Sequence, residues 1–238
     1  MFVKKRKDAV NLYIKRFQGY ISKPGEDFIN KQFLKSLGPA EYVDDDEYYI
    51  EKARDDTFTT ETHKSKNWKN WIAERDPDTC AFCLSKHGEI YPLDKKLTEK
   101  PPVHPYCRCV IEVIKAVFAG EATNKKEDGA DFWVINHGEL PDYYITESEL
   151  SELGWSRGDR PFKYAPGRMF GGEIYENNNG HLPSANGRVW YEADINYYNG
   201  VRNRHRLLYS SDGLVFVTYD HYLTFYEIAR GKNHVDEL

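Results

Sequence analysis

The ten residues Arg188–Tyr197 alternate so regularly that an extended strand is the natural reading. Arg188, Trp190, Glu192, Asp194 and Asn196 fall on one face. Val189, Tyr191, Ala193, Ile195 and Tyr197 fall on the other and make a core face. The first face sets a tryptophan among ionised groups. It reads either as a solvated face with cross-strand ion pairs or as the floor of a groove that holds a general base. Turn residues at Asn199-Gly200, Ser211-Asp212-Gly213 and Asp220-His221 frame a second alternating run, Leu214–Tyr219. Short connections between such strands predict an antiparallel meander.

Upstream the texture is helical. Ala130–Asn136 predicts a short helix. Thr146-Glu147-Ser148-Glu149 is a capping box, with Gly154 as a stop, and predicts a helix over Glu147–Leu153. Helices first and strands after give an α+β fold, with short N-terminal helices packed on an antiparallel sheet.

Arg202, Arg204 and Arg206 share a face if extended, one hairpin away from Glu192. Guanidinium groups at that spacing suit a phosphate. The same pattern also describes a basic edge strand that deters aggregation. His221 sits in a turn, where a histidine alone is an ordinary polar residue. Weighed with Glu192 and the arginines, it becomes a candidate acid.

The chain has 238 residues, room for two modest domains. Its net charge of −5 excludes wholesale coating of nucleic acid but allows a local arginine cluster. No apolar run is long enough for a transmembrane helix, and no signal peptide is visible. Val235-Asp236-Glu237-Leu238 approaches an ER-retention signal and is read as chance. The expectation is a chain cytoplasmic on synthesis, then virion-associated or exported by a non-Sec route.

Residues 1–64 read as a charged, mostly helical segment, with helical spacing in Lys4–Gly38. Thr60–Arg75 reads as a helix carrying Trp68 and Trp71 on one face. Residues 65–118 read as a helical, loop-rich module with a cysteine knuckle, 119–129 as a linker, 130–230 as the second domain and 231–238 as a tail.

All four cysteines lie between Cys80 and Cys109. Cys80-Ala-Phe-Cys83 and His104-Pro-Tyr-Cys107-Arg-Cys109 have ligand types and spacing suited to zinc. The reading favours Cys80, Cys83, His104 and Cys107, with Cys109 spare or in place of the histidine. Four reduced thiols, or two disulfides in an exported chain, are the alternative.

Long segments of the second half resemble the barnase-type, guanyl-preferring microbial ribonucleases. They are LPDYYIT (140–146), LGW (153–155), APG (165–167), GGEIY (171–175), GRVWYEADINY (187–197), VRNRHRLLYSSD (201–212) and TYDHYLTF (218–225). The resemblance implies a metal-free endoribonuclease. Glu192 takes the proton of the ribose 2′-OH. His221 protonates the leaving 5′-oxygen, giving a 2′,3′-cyclic phosphate that water then opens. Arg202 and Arg206 fall on the phosphate-binding arginines. Tyr222 and the loop Asn177, Asn178 and Asn179 fall on the base site, and Arg188 and Asp212 on a structural ion pair.

Two positions depart from that family. Its lysine after YIT is Glu147 here, which sets an anion near the phosphate unless Lys163, Arg168 or Arg204 substitutes in space. The carboxylate of its base loop is an amide here, Asn179, which predicts a weaker guanine preference.

The segment CAFC…HPYCRC resembles the phage head morphogenesis proteins of the Mu F-like minor head type. That resemblance implies a phage or prophage-derived carrier, with capsid or portal components as partners. A ribonuclease on such a carrier reads as a toxin met by a barstar-like immunity protein. The competing reading is a head-assembly structural protein whose ribonuclease-like domain is weakened or inactive.

Overall fold

The computed structural model describes residues 59–197 and 200–231. The expectations for residues 1–58, for Asn199 and for the tail 232–238 lie outside the described residues. The description falls within one compact unit, Tyr49–Leu238.

Nine strands form one sheet: β1 (His63–Ile72), β2 (Ile90–Pro92), β3 (Val110–Phe118), β4 (Tyr144–Ile145), β5 (Met169–Tyr175), β6 (Trp190–Asp194), β7 (Arg206–Ser210), β8 (Val215–Thr218) and β9 (Tyr226–Ala229). The spatial order is β2-β1-β3-β9-β8-β7-β6-β5-β4. From β5 to β9 the strands form the expected antiparallel meander. The whole sheet is mixed, because β3 joins β9 in parallel and β4 joins β5 in parallel.

Among the described residues three short α-helices accompany it: α1 (Ala81–Lys86), α2 (Ala130–His137) and α3 (Glu147–Glu152). Helix α3 starts at the predicted cap. The Thr146 hydroxyl accepts from the Glu149 amide, and the Glu149 carboxylate accepts from the Thr146 amide.

Residues 63–72 correct the helical expectation for Thr60–Arg75: they form a strand. The module 65–118 is correspondingly strand-rich rather than helical. Trp68 and Trp71 do not share a face. Trp68 packs on a cluster with Ile90, Ile114 and Phe216, whereas Trp71 packs with Cys83, Tyr91 and Cys109. Pairing with β2 and β3 fixes the strand, and β3 lies some forty residues away in sequence, beyond the reach of local periodicity.

The sheet is covered on both faces. Ala130 and Val134 of α2 pack over Ala193, Ile195, Leu207, Val217 and Ile228. On the opposite face Trp190, Leu208 and Phe216 meet Ile90, Ile114, Leu182 and Phe225. The face of β6 that carries charges is therefore core at Trp190, half-buried at Glu192 and buried again at Asp194 and Asn196. Gly171 permits the close approach of β5 to β6, since a Cβ there would stand 2.6 Å from Ala193 Cβ. After the register shift that follows, Glu173 lies opposite Glu192.

Candidate active site

Glu192 projects from the middle of β6, half-buried, between Glu173 on β5 and Leu208 on β7. The Tyr222 hydroxyl donates to its Oε2 at 2.6 Å. Two residues along the same face, Asp194 is buried and holds both arginines. Arg202 forms a bidentate pair with it, and Arg206 Nε lies 2.8 Å from Oδ1.

The two arginines differ in freedom. Arg206 is buried, with Nη1 donating to the carbonyls of Asn203 and His205 at 2.7 and 2.8 Å. Arg202 is half-buried, lies over the Phe170 ring at 4.5 Å, and turns toward the cleft. That cleft, about 560 Å³, is lined by Glu147, Arg157, Phe170, Glu173, Glu192 and Arg202 among others.

His221 is exposed on the turn after β8. Both it and Tyr222 have left-handed backbones, φ 63° and 68°, a conformation that non-glycine residues hold only under support. Asp220 supplies that support by accepting from the amides of Leu223 and Thr224, and Thr218 Oγ1 accepts from the Tyr222 amide. The His221 amide donates to the Arg204 carbonyl at 3.2 Å, which ties the turn to the arginine segment. No direct hydrogen bond joins His221 to Glu192 among the described residues. The imidazole does feel the charges of Glu192, Arg202, Arg204 and Arg206. Partial burial and then Arg206 push its pKa below the ordinary 6.5, and Glu192 pulls the other way.

Tyr222 stacks on Tyr175 with ring centroids 5.3 Å apart, beside the loop 177–181. The loop asparagines are largely occupied. Asn177 closes the loop on Leu182, donating to its carbonyl at 2.9 Å and accepting from its amide at 3.1 Å. Asn179 Nδ2 lies 3.1 Å from His181 Nδ1, and its Oδ1 accepts from the His181 amide at 3.2 Å. Asn178 is exposed. Arg188 and Asp212 pair bidentately, at 2.8 and 2.7 Å, away from the cleft.

Glu147 is on the cleft wall and is matched by a residue that the sequence did not single out. Arg157 Nε and Nη2 donate to its carboxylate at 2.8 and 3.0 Å and hold its pKa below the usual range. Of the three substitutes considered, Arg168 is spent on the carbonyls of Asp142 and Tyr144. Lys163 and Arg204 do not line the cleft. Arg157 follows LGW in an exposed loop, where no periodicity marks a charged residue as functional. Asp194 was visible as part of the charged face of β6, but not as the anchor of both arginines.

A second cluster lies on the other side of the sheet order, near β1–β3. All four cysteines are free thiols. His104 Nε2 is 3.3 Å from both Cys80 Sγ and Cys83 Sγ, and Cys83 Sγ is 3.9 Å from Cys107 Sγ. Cys83, Cys107 and Cys109 also form a close group, although Cys107 and Cys109 would point apart in a regular strand. No helix among the described residues is long and apolar enough to cross a membrane.

Residues 125–229 match a family model described as ribonuclease. Over 103 residues, 42% of this chain, the sequence is 52% identical to a ribonuclease of Heyndrickxia coagulans and covers 94% of that protein. It is equally similar, at 52% over 103 residues, to ribonucleases of Bacillus intermedius and Bacillus pumilus, of which it spans 63%.

Proposed function

Because this chain belongs to the ribonuclease family through residues 125–229, we propose that it is an endoribonuclease that cleaves RNA without a catalytic metal. The observation that carries the reading is the Glu192 carboxylate on the floor of a cleft it shares with the Arg202 guanidinium.

Glu192 removes the proton of the ribose 2′-OH, and the oxygen attacks the adjacent phosphorus. Arg202 faces the phosphate and stabilises the charge that develops on it. Arg206, buried behind Asp194, orients Arg202 through their common carboxylate and adds positive potential. His221 donates a proton to the leaving 5′-oxygen. The product is a 2′,3′-cyclic phosphate. Hydrolysis then runs with the roles reversed, water losing its proton to the imidazole and the 2′-oxygen regaining one from the carboxyl group. A carboxylate and an imidazole titrate on either side of neutrality, so the exchange works in both directions. The family's guanine preference is relaxed here, because the amide of Asn179 stands where the family has a carboxylate.

Residues 130–230 carry this activity. Residues 65–118 are read as a phage-type carrier module, and the chain as a toxin whose arginine-lined cleft would receive an acidic, barstar-like inhibitor. Glu147 on the cleft wall favours the competing reading, a head-assembly protein with a weakened nuclease domain.

The decisive assay is cleavage of RNA with EDTA present to sequester magnesium and calcium, with end-group analysis of the products. Cyclic phosphate termini are expected, with Glu192→Gln and His221→Ala each slowing turnover about 10²- to 10⁴-fold. Unchanged cleavage in both variants, or an absolute need for added divalent metal, would overturn the mechanism.

A further inference from the structure

We propose that Cys80, Cys83, His104 and Cys107 hold one zinc ion in a closed tetrahedral site, and that this ion fixes the segment bracing the loop 177–181. The zinc site stands without the ribonuclease reading. Only its effect on cleavage rests on that reading.

The thiols and the imidazole gather in two triads that share Cys83: Cys80, Cys83 and His104, and Cys83, Cys107 and Cys109. With zinc–sulfur near 2.3 Å and zinc–nitrogen near 2.0 Å, a tetrahedron has edges of about 3.8 Å between sulfurs and about 3.5 Å between sulfur and nitrogen. The edges here are 3.9 Å for Cys83–Cys107 and 3.3 Å from His104 Nε2 to each of Cys80 and Cys83. Hydrogen bonding alone gives no reason for a buried thiol to gather a histidine and further thiols around it.

Outer contacts support the same arrangement. His104 Nδ1 is 2.8 Å from the Pro105 carbonyl, a contact that needs the proton on Nδ1 and leaves the Nε2 lone pair facing the sulfurs. The Cys83 amide donates to Cys80 Sγ at 3.4 Å, as an N–H at a helix start does toward a thiolate. Three sulfurs and one imidazole select zinc over magnesium or calcium. No carboxylate among the described residues belongs to the cluster, and four protein ligands would leave no open corner, so the site would be structural rather than catalytic. Cys80 and His104 lie at the surface and give the ion a way in.

Cys107 is assigned as the fourth ligand because its Sγ lies 3.9 Å from Cys83 Sγ and it is less buried than Cys109. Cys109 completes the second triad with Cys83 and Cys107 and, like Cys83, packs with Trp71, Ala73 and Tyr91, so it is the alternative ligand that the variants below test.

The knuckle reaches the loop 177–181 through a short path. Helix α1 starts at the CxxC and ends at Lys86. The next residues are tied down in turn: Ala73 N to His87 Nδ1 at 3.1 Å, Gly88 N to Trp71 O at 2.8 Å, and Ile90 N to His181 O at 2.8 Å. The His181 ring packs against Gly88, where a Cβ would meet it at 3.3 Å, and His181 Nδ1 meets the Asn179 amide. Metal loss frees α1 and residues 87–90, and with them the brace on this loop.

The test uses the full chain. Metal analysis should find one zinc per chain. Cobalt(II) put in its place should give thiolate charge-transfer absorption and tetrahedral visible bands. Cys80→Ser and His104→Ala, both at exposed positions and so compatible with folding, should lose stoichiometric zinc, whereas Cys109→Ser should keep it. Prolonged treatment with 1,10-phenanthroline should lower the melting temperature and raise KM for RNA more than it lowers kcat. A chain without zinc or cobalt bands overturns the site. Zinc lost in Cys109→Ser but retained in Cys107→Ser overturns the ligand set. An unchanged KM after zinc removal overturns the link to the loop. Because zinc content is read without RNA, failure of the site and failure of the ribonuclease reading are distinguishable.

Discussion

Arg157 clasps Glu147 through two hydrogen bonds, at 2.8 and 3.0 Å, on the wall of the cleft that Glu192 floors. The pair neutralises an anion that would otherwise repel a phosphodiester. Arg157→Ala leaves Glu147 charged and unpaired beside Arg202, so kcat/KM for RNA should fall about tenfold, a loss of about 1.4 kcal/mol of charge interaction. Glu147→Lys should raise kcat/KM by a similar factor. Both effects should shrink with salt, because Arg157 is well exposed. Steady-state cleavage at two ionic strengths checks this, and a faster Arg157→Ala enzyme would contradict it.

In the proposed mechanism protonated His221 is the acid, and burial and then Arg206 push its pKa below the ordinary 6.5. Activity that needs the protonated form is lost as pH rises through that lowered value. The alkaline limb of kcat/KM should therefore fall below pH 6.5. Bound phosphate offsets the arginines, so the limb of kcat should lie higher than that of kcat/KM. Arg204→Ala removes one repelling charge and should move the kcat/KM limb upward. A limb above 7 in the free enzyme would contradict the lowered pKa, and a limb unchanged in His221→Ala would exclude His221 as the acid.

Asp194 is buried between two guanidinium groups, one of them buried as well. Asp194→Asn keeps the shape and removes the charge that compensates them. Loss of one partner in a buried pair costs about 3–5 kcal/mol, and the partial exposure of Arg202 places the expected value near the lower end. Urea unfolding followed by tryptophan fluorescence measures it, and a loss below about 1 kcal/mol would show that the arginines are not anchored there.

These residues show how far the sequence could be read. The face of β6 with Glu192 and Asp194, the cap at Thr146 and the meander came from local periodicity and turn chemistry, which report a residue's near neighbours. Trp68 and Trp71 misled because spacing by three suits one side of a helix. Their true partners on β2, β3 and β8 arrive through contacts distant in the chain. Arg157 was illegible for the same reason, since its meaning depends on which wall of the cleft its loop covers. The ligand types and spacing of Cys80, Cys83, His104 and Cys107 were legible in the sequence, while the two triads that share Cys83 needed coordinates.

The proposed relaxation of base preference rests on Asn179, whose side chain is already engaged by His181 through both its oxygen and its nitrogen. On that proposal a guanine at this loop would find backbone amides for its O6 but no carboxylate from residue 179 for its N1 and N2 protons. Cleavage of dinucleoside phosphates should therefore favour guanosine on the 5′ side only modestly. Asn179→Glu supplies the missing acceptor, and a hydrogen bond to a charged group contributes about 1.5–3 kcal/mol. The variant should raise kcat/KM for guanosine over adenosine substrates about 10- to 100-fold. Glutamate also releases His181 from the amide, so His181→Ala alone tests whether the gain comes from a looser loop instead. Strong guanosine selectivity in the unaltered chain, or no gain in Asn179→Glu, would mean that the amide at 179 does not set the preference.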